Sequence, residues 1–234
     1  MDAIVIVSAR DEADRLPATL AALADAFPGA RVLVADDGSR DATAQVATAA
    51  GAEVVSQPRA IGKGGATTAA AERVLAATTA PDPPLVVLCD GDLGPSARHL
   101  RALAEAVERG DGDLAVGVFA RRVGGGVGAA VGFARRALRR LTGLELQAPI
   151  SGQRAMRGEV LAAVTPFAPR FGMEIGMTTD AHRAGFRLVE VPLDLEHRAT
   201  GRTLGGFAHR FRQLADFVAV TLDRMAGGSP TGRP

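Results

Sequence analysis

Tryptophan and tyrosine are missing from this chain, and nine phenylalanines are all its aromatic side chains. A platform that stacks nucleic-acid bases needs exposed aromatic faces, so a nucleic-acid partner is not expected. An excess of one charge is missing too. The 27 Lys and Arg balance the 26 Asp and Glu to a net charge of +1, which implies no polyelectrolyte partner. Cys89 is the only cysteine. No intrachain disulfide can form, and its place in an apolar run marks it as a buried structural thiol. No stretch approaches the roughly 18 apolar residues of a membrane span. Met1-Asp2 leads straight into an apolar strand without a basic leader, so a cytoplasmic location is expected, with room for peripheral contact at the inner face of a membrane. Lysine is nearly absent as well. Lys63 alone breaks a series of arginines, which makes its position worth weighing.

What is present is a regular alternation. Ala3–Val7, Arg31–Ala35, Glu53–Ser56, Leu85–Cys89 and Leu114–Phe119 read as strands. Helical spacing falls between them at Glu12–Phe27, Asp41–Ala50, Gly64–Thr79 and Ser96–Arg109, the last with Ser96 as N-cap. Such alternation predicts a mostly parallel α/β sheet flanked by helices. The second half is less regular. A glycine-rich stretch precedes a basic helix at Phe133–Leu141, short helices are expected at Met156–Val164 and Met173–Ala184, and Phe186–Val191 reads as a strand. Phe207–Met225 predicts an amphipathic C-terminal helix. The 234 residues fit one domain, 1–225, followed by a Gly/Ser/Pro tail, 226–234, expected to be disordered.

The chemistry concentrates where strands end. Four apolar residues, Leu85-Val86-Val87-Leu88, lead into Cys89-Asp90-Gly91-Asp92. In an open α/β sheet, ligands bind beyond the carboxyl ends of strands. Two carboxylates this close repel unless a cation lies between them, and Mg2+ is typically held by one or two carboxylates plus substrate phosphates. Asp90 and Asp92 therefore read as a metal bridge to a diphosphate. Glu12 follows the first strand, and Asp36-Asp37-Gly38-Ser39-Arg40-Asp41 follows the second, so their acids share the same rim. A Walker A loop is excluded by Gln57 and Gly64 at its key positions, and no Gly-x-Gly-x-x-Gly follows the first strand. Lys63, between Gly62 and Gly64 at a helix start, reads as a phosphate or base contact, with the glycines letting an anion approach.

With these residues in place, the chain resembles the family 2-type glycosyltransferases of GT-A fold. The resemblance lies in Val34–Thr43, in Cys89-Asp90-Gly91-Asp92-Leu93, and in Ile150-Ser151-Gly152-Gln153-Arg154-Ala155-Met156-Arg157. The last segment is similar to one in dolichyl- and polyprenyl-phosphate sugar synthases. Gly62-Lys63-Gly64 and Phe171-Gly172-Met173-Glu174-Ile175-Gly176 look more like glucosyl-3-phosphoglycerate synthases.

The resemblance implies a hexosyltransferase using a UDP- or GDP-sugar and Mg2+ or Mn2+. Asp37 would bond the base, with Ala9 and Glu12 completing its pocket, and Gly91, Lys63 and Arg154 would join the donor site. Asp90 and Asp92 would hold the metal, Asp92 most directly, with His197 completing the shell. Arg198 and Arg202 would meet the diphosphate or an acceptor phosphate. Glu174 would take the proton of an acceptor hydroxyl, with Asp180 a weaker candidate. The expected acceptor is polyprenyl phosphate, with a soluble phosphate such as phosphoglycerate as the alternative. A nucleotidyltransferase or a non-catalytic sugar-nucleotide-binding module ranks lower. Six Arg and no acid between Leu114 and Leu144 suggest a basic acceptor lid, and a homodimer is compatible with the whole.

Overall fold

The computed structural model describes residues 3–78, 84–119, 128–195 and 204–229. Its strands are β1 (Ala3–Ala9), β2 (Arg31–Asp36), β3 (Glu53–Ser56), β4 (Leu85–Asp90), β5 (Leu114–Phe119), β6 (Arg154–Arg157) and β7 (Leu188–Leu193). Its helices are α1 (Leu16–Ala26), α2 (Thr43–Ala49), α3 (Lys63–Ala77), α4 (Arg101–Glu108), α5 (Gly128–Thr142), α6 (Gly158–Val164), α7 (Met173–Arg183) and α8 (Leu204–Met225).

The strands form one sheet in the order β3-β2-β1-β4-β6-β5-β7. β1, β2, β3 and β4 run parallel, as do β5 and β7, while β6 runs antiparallel to both its neighbours. Successive side chains of a strand face opposite ways, and both faces are covered here. Val5, Val7, Val87 and Cys89 pack under α1 and α4 with Leu16, Leu23 and Leu103. Ile4, Ile6, Val86 and Leu88 pack on the other face against α3, α6 and α7. A third cluster, Leu138, Ile175, Phe217 and Val220, joins α5, α7 and α8.

Three elements differ from expectation. α1 starts at Leu16, not Glu12, because the preceding turn gives its N–H groups to the β2–α2 loop: Asp11 to Ser39 Oγ, Glu12 to Thr43 Oγ1 and Ala13 to Asp41 Oδ2. Ser96 is no N-cap; it lies inside a 3₁₀ turn, Gly94–Leu100, and its hydroxyl donates to Leu93 O. The helix expected over Met156–Val164 is a strand followed by a helix. Of the tail, Gly228 is tied to α8 and accepts from Arg183, and residues 230–234 lie outside the described ones. No helix among the described residues is long and apolar enough to cross a membrane.

Candidate active site

The strand order reverses direction between β1 and β4, which opens a crevice beyond their carboxyl ends. Ser8 pairs with Asp90 across that junction, and Ala9 pairs with Asp36 on the other side. Gly91 N–H donates to Ser8 O at 2.9 Å and Asp37 N–H to Ala9 O at 3.0 Å, so both loops leave the sheet together. Ala9 is buried, and a Cβ on Gly91 would stand 3.2 Å from the Ala9 Cβ. These two residues form the crevice floor. Behind it, the buried Thr19 of α1 braces the loop by donating to Gly91 O and accepting from Gly94 N–H, each at 2.8 Å.

Lys63 is the centre of the rim. Its ammonium lies 2.7 Å from Asp90 Oδ1 and 2.9 Å from Glu174 Oε1. Burial works against that charge, but Asp90 and Glu174 outweigh it and hold the group protonated beyond the ordinary lysine range. Glu174, in the first turn of α7, is only 7% exposed. Gly152 passes directly over the cluster. A Cβ there would collide with Lys63 Nζ and come within 3.0 Å of Asp90 Oδ2. Cys89, beneath, is buried, and its thiol is pushed up by burial and by the charges of Asp90 and Asp92.

Several of the expected residues have firm partners within the fold. Lys63 turns inward to two carboxylates. Its flanking glycines answer to packing, since a Cβ at Gly64 would collide with the Ala168 carbonyl and one at Gly62 with Arg170. An anion does sit ahead of α3, and it is Asp37, whose Oδ1 accepts Ile61 N–H at 2.7 Å and Gly62 N–H at 2.9 Å. The carboxylate expected at a nucleotide base thus also anchors the loop ahead of α3, where helix N-termini favour negative charge. Arg154, expected at the donor, has no exposed surface. Its guanidinium donates to Ser151 O, Thr178 Oγ1 and Glu174 O, each at 3.0 Å, and burial pushes its pKa down to about 10 against the charge of Glu174. It is a strut between the Ser151 loop and α7. Asp180 is sealed under Arg224 of α8, at 2.8 Å on both carboxylate oxygens. Glu12 and Asp92 are half-buried at the rim. His197, Arg198 and Arg202 lie outside the described residues.

Sequence reasoning passes over Gln153, which is buried and bonded to Asp90 through both ends of its amide. The signal available was its place after Gly152 and before the short polar–apolar alternation Arg154-Ala155-Met156-Arg157.

The donor set fits a hard divalent cation: oxygen ligands only, on two acids flanking a glycine. Among the described residues no three His, Cys, Asp or Glu stand together as a complete cage. Further ligands would come from a bound diphosphate, from water or from residues beyond those described.

The chain was compared with known proteins. The glycosyl transferase family 2 model matches residues 4–164. A glucosyl-3-phosphoglycerate synthase of Mycolicibacterium paratuberculosis is 32% identical over 93% of this chain and 68% of its own length. An undecaprenyl-phosphate mannosyltransferase of Micrococcus luteus is 32% identical over 87% of each chain. The crystal structure of glucosyl-3-phosphoglycerate synthase from Mycobacterium tuberculosis in complex with Mn2+, UDP and phosphoglyceric acid superposes with a TM-score of 0.76, at 28% identity, covering 95% of this chain and 78% of that one.

Proposed function

The chain belongs to glycosyl transferase family 2, and within that family we propose that it moves a hexose from a UDP-sugar to a hydroxyl of a small phosphorylated acceptor of the phosphoglycerate class. One observation carries the choice of acceptor. Glu174 is buried at the rim, and the ammonium that compensates its charge also holds Asp90. A hydroxyl nucleophile needs a group to take its proton, whereas a phosphate acceptor needs none. A buried carboxylate beside the metal-binding acids fits the first case. The likeness to a synthase whose structure holds Mn2+, UDP and phosphoglyceric acid supports the same reading.

The residues divide the work as follows. Asp90 and Asp92 would hold Mn2+ or Mg2+ against the donor diphosphate. When bound, the cation neutralises charge on the departing diphosphate. Ala9, Gly91 and Thr19 fix the crevice floor, and Glu12 borders it. Lys63 keeps Asp90 and Glu174 in register across the boundary between donor and acceptor. Glu174 receives the acceptor proton. Outside the described residues, His197, Arg198 and Arg202 remain the candidates for a third metal ligand and for phosphate contacts. The enzyme would work in the cytoplasm.

Polyprenyl phosphate, the acceptor favoured by sequence, keeps two observations in its support: the likeness to an undecaprenyl-phosphate mannosyltransferase and the exposed Arg135, Arg136, Arg139 and Arg140 of α5. The deciding experiment offers purified protein UDP-glucose or GDP-mannose with either 3-phosphoglycerate or undecaprenyl phosphate, with Mn2+ or with EDTA. Metal-dependent glycosylation of 3-phosphoglycerate is expected. Product on the lipid alone would replace this reading with the lipid one, and full turnover in EDTA would remove the metal from it.

A further inference from the structure

Gln153 stands one residue before β6, and the direction of β6 explains what it does. Because β6 runs antiparallel to β4, with Leu88 opposite Arg154, the start of β6 lies beside the end of β4. The Gln153 side chain, 1% exposed, there grips Asp90 twice. Its Oε1 accepts the Asp90 N–H at 3.1 Å, and its Nε2 donates to Asp90 Oδ2 at 2.6 Å. The opposite amide orientation would face donor to donor and acceptor to carboxylate, so the partners dictate the orientation. Its backbone is fixed as well: Gly117 N–H of β5 donates to Gln153 O at 2.9 Å, and a Cβ on Gly117 would crowd the Gln153 Cβ at 3.3 Å.

With Oδ2 on Gln153 and Oδ1 on Lys63 at 2.7 Å, both oxygens of Asp90 are engaged by N–H donors. Each oxygen keeps a second lone pair, so the two bonds fix the rotation of the carboxylate and the directions from which a cation can reach it. We propose that Gln153 is a positioning residue that sets the rotation of the Asp90 carboxylate, keeping Oδ1 on Lys63 and presenting the remaining lone pairs to the cation in one orientation. This rests on the metal-dependent reading above. A neutral amide is the suitable side chain here, because it can donate to the carboxylate and accept from the backbone N–H at once. Glutamate of the same length keeps the second bond and turns the first into repulsion. Methionine of similar length removes both.

The test compares wild type with Gln153→Glu and Gln153→Met. Mn2+ affinity is read from the electron paramagnetic resonance of free Mn2+, with and without UDP, alongside kcat, donor KM and thermal melting. Either substitution releases Asp90 Oδ2. Mn2+ should therefore bind about 10- to 100-fold more weakly, the usual cost of losing an outer-shell partner, and kcat at limiting Mn2+ should fall with it. Donor KM at saturating Mn2+ should move far less. Weaker metal binding at an unchanged melting temperature is not a result that loosened packing produces. Unchanged Mn2+ affinity in both variants overturns the proposal, even where turnover falls in step with melting temperature. If the Met variant does not fold, the isosteric Glu variant decides. A wild type that binds Mn2+ neither alone nor with UDP sinks the metal-dependent reading and this inference with it. A wild type that binds both, matched by its variants, sinks this inference alone.

Discussion

Helix α7 carries two buried carboxylates, each facing a basic residue from another helix, and they are built for opposite purposes. Asp180 meets Arg224 in a two-point fork, with side chains 3% and 6% exposed. The pair is sealed, and Arg224 reaches the exposed Asp223 besides. Glu174 meets Lys63, which is 21% exposed and shared with Asp90. The sealed fork locks α8 onto α7. The Lys63 cluster stands instead at the strand ends, where Asp90 closes β4 at the switch point of the sheet. Burial of the acid alone therefore does not mark the functional one on this helix; the exposure of its partner and its place at the strand ends do.

The largest effect should come from breaking the first carboxylate. Glu174→Gln should lower kcat on a hydroxyl acceptor by about 10²- to 10⁴-fold, the range for a lost general base, with little change in melting temperature. The same variant should transfer to a lipid phosphate almost normally if that were the true acceptor. Steady-state kinetics on both acceptors thus separates the two readings with one substitution.

Asp180→Ala should do the reverse. Removing Asp180 leaves the buried Arg224 with only the exposed Asp223, and breaking a buried pair costs about 3–5 kcal/mol. Urea titration should show that loss, while kcat of the folded fraction stays at the wild-type value. Asp180→Leu combined with Arg224→Met should recover most of the stability, because apolar replacement of both partners is often neutral or better. A collapse of kcat in Asp180→Ala under conditions where it remains folded would mean that the lock and the site are one unit.

How well sequence anticipated each part follows the same division. The β1–β4 half could be read residue by residue: Val5, Val7, Val34 and Val87 are apolar on strands buried on both faces, and acids end those strands on one rim. That pattern is local and repeats. The other half hides its decisive element, β6. The strand is four residues long, Arg154 at its start is fully buried, and it runs against its neighbours. No alternation of strand and helix announces an antiparallel insertion, and a buried arginine does not look like a strand residue. Missing β6 meant missing Gln153 beside Asp90. Asp37 and Lys63 stand out in the sequence, but their partners come from segments distant in it, Ile61–Gly62 for one and Glu174 of α7 for the other. Composition and spacing contain no information about such pairings.

A smaller effect should follow from removing the shared cation. Lys63→Ala takes away a charged hydrogen bond worth about 1.5–3 kcal/mol, and Asp90 and Glu174 then repel across the gap. Donor affinity, measured by calorimetry with UDP and Mn2+, should weaken by about 10- to 150-fold. Because the ammonium is held between Asp90 and Glu174, Lys63→Arg should not rescue it: the broader guanidinium has no room beneath Gly152, whose missing Cβ is what admits the ammonium. Full rescue by arginine would show that only charge matters at this position, and the cluster would then be looser than its distances imply.

The smallest effect should come from charges outside both pairs. The outward face of α5 carries Arg135, Arg136, Arg139 and Arg140, all exposed. Arg135 donates to the carbonyls of Leu146 and Gln147, and Arg139 lies 3.6 Å from Glu145. Exposed contacts of this kind contribute about 0–1 kcal/mol each. Changing all four to Gln should leave turnover on a soluble phosphorylated acceptor nearly unchanged, since none of them contacts Lys63, Asp90 or Glu174. Their combined field would still draw the protein to an anionic surface, and that attraction should fade within the physiological salt range, where the Debye length is about 8 Å. Flotation with vesicles containing anionic lipid, at low and moderate salt, reads this directly. Binding that survives salt, together with transfer to undecaprenyl phosphate that the four substitutions abolish, would move the acceptor site toward α5. Glu174 would then have no acceptor proton to receive, and its ion pair with Lys63 would be structural, like that of Asp180 with Arg224.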